Sequence, residues 1–276
     1  MRLLPMSMLL LPMLALCAEP DEKLVELLRK SELALKMEKL DASLEFAEEA
    51  VKLDGKSPVA HFRRGDALLR LRRYDDSIRA FDTALALDPK GALAHDRKGS
   101  ALFCTGKVVE SIAEFDSYLK EVPRAKAAHW QRGISLYYAG RYQDGADQFQ
   151  AGETVFGNDV ENAFWHWLCL ARKTTPDKAR ESLLKVGPDA RVPMAEIYLM
   201  VQKKATPAAV MEAAKKDGVR NEGIEEKLFY ANLYIALWYE AEGDAAKCKE
   251  HLKEAVARKI GHYMWDVANV HLKKMK

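Results

Sequence analysis

Three stretches decide the fold: His61-Phe62-Arg63-Arg64-Gly65, His95-Asp96-Arg97-Lys98-Gly99 and His129-Trp130-Gln131-Arg132-Gly133. They lie 34 residues apart. Working outward, Leu68, Leu102 and Leu136 keep that spacing, as do Phe81, Phe115 and Phe149. Ser77 and Ser111 form a shorter column, and so do Pro89 and Pro123. A fixed period of this length marks a supersecondary unit that packs on copies of itself. Within each period, apolar residues recur at helical spacing on two segments, the pattern of helices packed on both sides. Gly106 and Gly140 sit where each helical pair reverses. No strand pattern appears.

The small residue at the eighth position and the aromatic at the twenty-fourth make these units resemble the tetratricopeptide repeat. That resemblance implies an all-α fold, a right-handed α-solenoid of helical hairpins with a divergent helical C-terminal part. The units span 24–57, 58–91, 92–125 and 126–159. The first is weaker: Ser31, Ser43, Ala50 and Asp54 keep their columns, but Ala47 stands where Phe81 sets an aromatic. One face of a terminal unit meets water, so an atypical first repeat is expected. Ser57-Pro58 supplies an N-cap and a first-turn proline for the next unit.

The register stops after Gly157-Asn158. Residues 160–222 read as divergent helical pairs, with a strongly apolar helix from Asn162 to Arg172 and helix starts at Thr175-Pro176 and Thr206-Pro207. Gly187-Pro188 and Asp217-Gly218 read as breaks. Residues 223–276 form a degenerate repeat and a capping helix, Tyr263 to Lys274. Trp265, Val267 and Ala268 are expected to cover the end of the core, with the lysine-rich tip in water. Everything after residue 18 reads as one continuous helical domain.

Residues 1–18 read as a cleaved export signal: Arg2, an apolar run to Leu16, then small residues before acidic ones. The run is shorter than the about 20 residues of a comfortable membrane span. Export to a periplasm or to the outside is the expectation. Leu14-Ala15-Leu16-Cys17 also resembles a lipobox, which makes lipidation of Cys17 and anchoring to the envelope the alternative, although Leu16 departs from the usual small residue. Any membrane contact would come through that lipid.

The formal net charge is only +2, which argues against a dedicated nucleic-acid binder. No zinc-protease helix, phosphate-binding loop or nucleophile elbow is present, so no enzyme and no cofactor is expected. Successive repeats lie about 10 Å apart, too far for the aligned histidines to share one metal ion. They read instead as packing residues within each hairpin. Cys104, Cys169 and Cys248 are an odd set for a disulfide framework. Cys169 and Cys248 read as core thiols, and Cys104 is expected to face the groove. Arg63-Arg64, Arg97-Lys98 and Arg132 form a candidate basic ridge for an acidic partner.

The best candidate site is the concave groove, where the resemblance places the second, fifth, ninth, twelfth and thirteenth positions of each first helix. The groove residues are then Phe62, Asp66, Arg70, Asp96, Phe103, Trp130, Ile134, Tyr137 and Tyr138. Aromatic side chains on one concave wall are the usual anchors of a peptide or protein segment. The competing reading is that a neighbouring segment, or a second copy of the chain, already covers them. A carboxylate clamp is not expected, because Phe62 and Asp66 replace its lysine and asparagine.

The block Arg132 to Gly140, with Glu161 to His166, also resembles a group of such repeat proteins in bacteria and plant plastids that share a tail like Tyr230 to Leu272. In architecture the chain resembles periplasmic lipoprotein adaptors of this repeat class. These resemblances imply a non-catalytic adaptor or scaffold with a protein or peptide client. The alternative is a scaffold that self-associates as a homo-oligomer through 160–276, rich in Trp165, Trp167, Tyr230, Tyr234, Trp238, Tyr239, Tyr263 and Trp265.

Overall fold

A missing side chain and a large one set the repeat. A Cβ on Gly65 would come within 2.6 Å of the Phe81 ring, and one on Gly99 within 2.7 Å of Phe115. Gly133 and Phe149 repeat the arrangement at 2.7 Å. Each phenylalanine is buried, so the glycine column lets the second helix of a hairpin lay its ring on the backbone of the first. Ser77 ties the same helices together, its Oγ donating to Gly65 O at 2.8 Å, while Ser111 Oγ meets Ser135 Oγ of the next repeat at 3.2 Å.

The computed structural model describes residues 21–216 and 223–275, which places the leader, Cys17 and the Asp217-Gly218 turn outside the described residues. The hairpins are α1 (Glu22–Lys36) with α2 (Leu40–Leu53), α3 (Pro58–Arg70) with α4 (Tyr74–Leu87), and α5 (Ala92–Cys104) with α6 (Val108–Glu121). The fourth pairs α7 (Trp130–Tyr138) with α8 (Tyr142–Gly152). Its first turn is a separate 3-10 segment, Pro123–Ala128, and α7 starts only where the His129 ring accepts from Arg132 N at 3.2 Å. No strand occurs among the described residues.

The hairpin turns share a left-handed residue at one column: Glu38 and Arg72, both with φ 58°, then Gly106 at 84° and Gly140 at 74°. Glycine adopts this conformation freely, whereas a side chain there costs roughly 1–2 kcal/mol. Arg72 therefore holds a strained position, and its contacts, described below, explain why it is kept.

Beyond the repeats lie α9 (Val160–Lys173), the short α10 (Pro176–Arg180), α11 (Met194–Val201) and α12 (Pro207–Lys215). Thr175 and Thr206 each cap the helix that follows, through bonds of 3.2 Å to Lys178 N and Ala209 N. The chain closes with α13 (Ile224–Glu242), α14 (Ala245–Ala257) and α15 (Tyr263–Lys274). α13 is apolar nearly all round, with Phe229, Leu233, Tyr234, Ile235 and Leu237 fully buried, so it runs through the interior.

The core is uneven. Repeats one and two hold small local clusters, such as Leu27 with Ala50 and Ala60, or Ile78 with Ala101 and Leu102. Repeat four joins α9 and α13 to α15 in one large cluster that runs from Phe103 to Val270. The solenoid curls until its last helices enter its own concave face. α15 does not cap the end of the solenoid, as its sequence suggests; it lies across the groove.

Candidate functional site

The concave face divides into a filled half and an open half. In the filled half, Tyr263 sits between Phe103 and Trp130, with ring centres 5.7 and 5.4 Å away. Tyr138 packs edge-on to Phe103 at 5.4 Å. Burial depresses the His271 pKa and so favours the neutral ring, whose Nδ1 can accept from Tyr138 OH at 2.9 Å. Lys274 Nζ donates to the backbone oxygen of Tyr138 at 2.8 Å. Tyr137 OH donates to Glu240 at 2.5 Å, and burial with that carboxylate raises the phenol well above its usual range.

At the start of α15, beside Tyr263, Arg72 donates to Ile260 O at 2.7 Å, pairs with Asp266 at 3.5 Å and lies 4.2 Å over the Trp265 ring. Tyr74 donates a further hydrogen bond to Asp266. One side chain on the strained turn thus meets three groups on the C-terminal segment.

Of the sequence-derived groove residues, Phe103, Ile134 and Tyr137 are buried, and Trp130 and Tyr138 are half-buried against the same core. An aromatic wall open to a client is therefore corrected: the chain's own α15 occupies it, as one of the two readings allowed. The reason is shape and chemistry together, since Tyr263 and His271 supply the ring and the acceptor that a client would bring. Cys104 does lie on the groove side, but it too is covered, and burial pushes its thiol well up.

The open half runs along repeats one to three and reaches Gln131 of repeat four. A cleft of about 710 Å3 remains between the inner helices and residues 260–266. Leu69, Arg70, Arg97, Ser100 and Gln131 line one side, with Glu38 and Glu226 also at its border. Arg70 is largely free; its nearest carboxylate is Glu38 at 4.0 Å, and its side chain is 47 % exposed. Phe62 packs on Phe81 at 5.9 Å and is half-buried. Asp66 meets Arg97 at 3.4 Å, and burial pushes its carboxyl up against that attraction. Asp96 accepts from His129 Nε2 at 3.0 Å. Val59 and Leu93, on the same helices, are 48 % and 58 % exposed.

Glu226, Gln131 and Ile260 escaped the sequence reading. The break in the glycine column at Glu38 and Arg72 was the available signal. Of the basic ridge, Arg97 lines the cleft with its side chain 41 % exposed, and Arg63 pairs with Glu32 of the preceding repeat. Arg64 faces Glu48 at 3.8 Å, Lys98 faces Asp82 at 2.7 Å and Glu114 at 2.6 Å, and Arg132 faces Asp116 at 2.6 Å. Arg64, Lys98 and Arg132 thus join neighbouring helices. The proposed self-association surface loses its largest groups too, because Trp165, Trp167, Tyr230 and Tyr234 are buried within this chain.

The thiols offer little nucleophilic chemistry. Burial raises Cys169, and Cys248 is pushed up to about 12, so both stay protonated at neutral pH. The neighbouring His166 is depressed by burial.

The tetratricopeptide repeat family model matches residues 28–92, 62–126 and 97–159. Residues 28–159 are tetratricopeptide repeats. The solved structures agree on the fold. A tetratricopeptide repeat protein from Parabacteroides merdae is 14 % identical, with 92 % of this chain and 99 % of that one covered at a TM-score of 0.58. MamA from Desulfovibrio magneticus RS-1 is 17 % identical over 66 % of this chain and 97 % of its own, at 0.54. PilF of Pseudomonas aeruginosa is 12 % identical over 91 % and 98 %, at 0.53. No curated protein sequence matches the chain.

Proposed function

We propose that the chain is a non-catalytic interaction scaffold that holds an extended protein segment in the open half of its groove. The observation that carries this reading is the cleft itself: a concave space with Leu69 as an apolar floor and Arg70 held out with hardly a partner. Apolar side chains of the client lie on Leu69 in the cleft and on the exposed Val59 and Leu93 at the starts of α3 and α5. Carbonyl or carboxylate oxygens of the client meet Arg70 and Gln131. The α15 helix closes the inner end, so the client is short or leaves the groove at repeat three. Export by the leader at 1–18, with Cys17 as the alternative lipid anchor, sets the place of work; the mass of the mature N-terminus tests it.

The test of the site is a photocrosslinking residue at Leu93, compared with the same residue at the exposed Val155 outside the groove, in the cell extract that contains the protein. A client captured only at 93, and lost when Arg70→Glu is added, supports the reading. Equal capture at both positions, or capture indifferent to Arg70→Glu, overturns it.

A further inference from the structure

Two sulfurs and an imidazole nitrogen meet where α14 packs on α15. Cys248 Sγ lies 4.0 Å from His271 Nε2 and 3.7 Å from Met275 Sδ. His271 and Met275 stand four residues apart, and Met275 N donates to His271 O at 3.3 Å, so the helical turn sets both side chains over one face. Cys248 comes from the facing helix and is fully buried. His271 is buried, and Met275 is half-buried at the rim. None of the three lines the cleft.

An ion with three ligands in one plane fixes their separations. With bonds of about 2.3 Å to sulfur and about 2.0 Å to nitrogen, two sulfurs sit ~4.0 Å apart and a sulfur and a nitrogen ~3.7 Å apart. Both separations at Cys248 fall within about 0.3 Å of these values. The packing already has the span of a trigonal site. Its surroundings orient the imidazole: Tyr138 OH lies 2.9 Å from His271 Nδ1, so with Nε2 on an ion the Nδ1–H donates to that oxygen. Glu240 Oε2 is 3.8 Å from Nε2, but this carboxylate accepts from Tyr137 OH at 2.5 Å and meets Arg172 at 3.3 Å. It stays outside the ligand set.

The donors choose the metal. Among the described residues no three of His, Cys, Asp and Glu converge on one point, so the third ligand here is a thioether. Zinc is held by thiolate, imidazole and carboxylate, whereas thiolate and thioether together select Cu(I). Charge agrees. One thiolate and a monovalent ion form a neutral complex, whereas a divalent ion would bring a net positive charge into a buried site. We propose that Cys248, His271 and Met275 bind one Cu(I) ion in three-coordinate geometry. Binding breaks the Cys248 S–H bond, forms an S–Cu bond and releases the proton to solvent; no electron is transferred. Around these ligands the charged groups are Glu240 on α13, Arg172 on α9, Asp244 before α14 and Lys274 on α15. Burial keeps the free thiol protonated up to about 12, so each ion displaces one proton at neutral pH. The ion ties α14 to α15, the helix that fills the groove. The site does not depend on the reading of the cleft.

The experiment titrates the full chain, with Cys17→Ser as the parent, against Cu(I) without oxygen and in competition with the coloured chelator bicinchoninate. Adding Cys104→Ala and Cys169→Ala leaves Cys248 as the single thiol. One ion per chain is expected in both proteins, with X-ray absorption showing two sulfurs and one nitrogen on copper. Affinity is expected to rise about tenfold from pH 7 to pH 8, the mark of one displaced proton. Met275→Leu keeps the apolar bulk and Tyr138→Phe keeps the ring, and each is expected to weaken Cu(I) about tenfold or more. Both are made in the parent, with circular dichroism to check the fold, so they test the site whether or not the single-thiol protein folds. Failure to compete with the chelator, unchanged affinity in Met275→Leu, or copper still held after Cys248→Ala overturns the site. Zinc bound as tightly as Cu(I) overturns the choice of ion.

Discussion

The two halves of the groove are built from the first helices of the same repeat, yet one is core and the other is surface. Phe103, at the twelfth position of its repeat, is fully buried, while Phe62, at the fifth position of the preceding one, is half-buried against the cluster of Phe81, Ala84 and Ala94. Part of the difference is cover. It lies in whether α15 reaches across them, which it does from Trp130 to Arg72 and no further. A groove residue in a solenoid is thus a surface residue only until the rest of the chain is placed.

The sharpest way to break this comparison is to truncate the two phenylalanines. Phe103→Ala is expected to destabilise by about 3–5 kcal/mol, because the hole opens inside a packed cluster. Phe62→Ala is expected to cost about 1–2 kcal/mol, because the ring is only partly buried. Urea unfolding of the two variants checks the pair. Equal losses would mean that α15 does not hold the filled half.

The N-terminal repeats were legible because their contacts are local. Gly65 meets Phe81, and each repeat meets the next, so the interactions recur every 34 residues and leave a period in the sequence. The closing helix was legible as a helix from Tyr263 to Lys274. Its destination was not. Tyr74 with Asp266, Tyr137 with Glu240 and Tyr138 with His271 are pairs more than 100 residues apart, and no period encodes them. A chain of aromatic residues at groove positions reads the same whether its partner is a client or its own tail. The Arg72 turn carried the one local hint, since an arginine replaces the glycine found in the two following repeats.

The filled half also depends on polar links that titrate. Tyr234 donates to Glu161, which joins α13 to α9. Burial raises the Glu161 carboxyl from its ordinary 4.5 to about 6, so the folded chain binds this proton more tightly than the unfolded chain. Stability from the group is therefore fullest below 4.5 and falls as pH rises through about 6. Glu161→Gln mimics the protonated form and removes that slope. Relative to wild type, the variant is expected to gain about 2 kcal/mol between pH 4 and pH 7. Urea melts at both pH values check it, and a parallel response of the two proteins would show that Glu161 is not a buried acid.

Arg72 gives a smaller and more specific test. Arg72→Ala and Arg72→Gly both remove the contacts to Asp266, Trp265 and Ile260. Only the glycine also relieves the φ of 58°. The glycine variant is expected to be about 1 kcal/mol more stable than the alanine variant, with both below wild type. Thermal unfolding orders the three. A glycine variant above wild type would mean that the strain exceeds everything Arg72 holds.

Arg70 is the counterpart in the open half, and there the expected change in stability is the smallest. Its guanidinium is 47 % exposed and 4.0 Å from Glu38, a surface pair of little energetic weight. Arg70→Glu is therefore expected to shift unfolding by no more than about 0.5 kcal/mol. Client capture at Leu93 should nevertheless fall, and should fall more at low salt than at high salt, because the charge reversed at the mouth of the cleft is screened only by the solution. A variant that unfolds early would make Arg70 a structural residue like Arg72 and erase the contrast between the halves. A variant that is stable but blind to the client would show that the columns filled by α15 and the columns left open serve different ends: one closes the fold, and the other receives a partner.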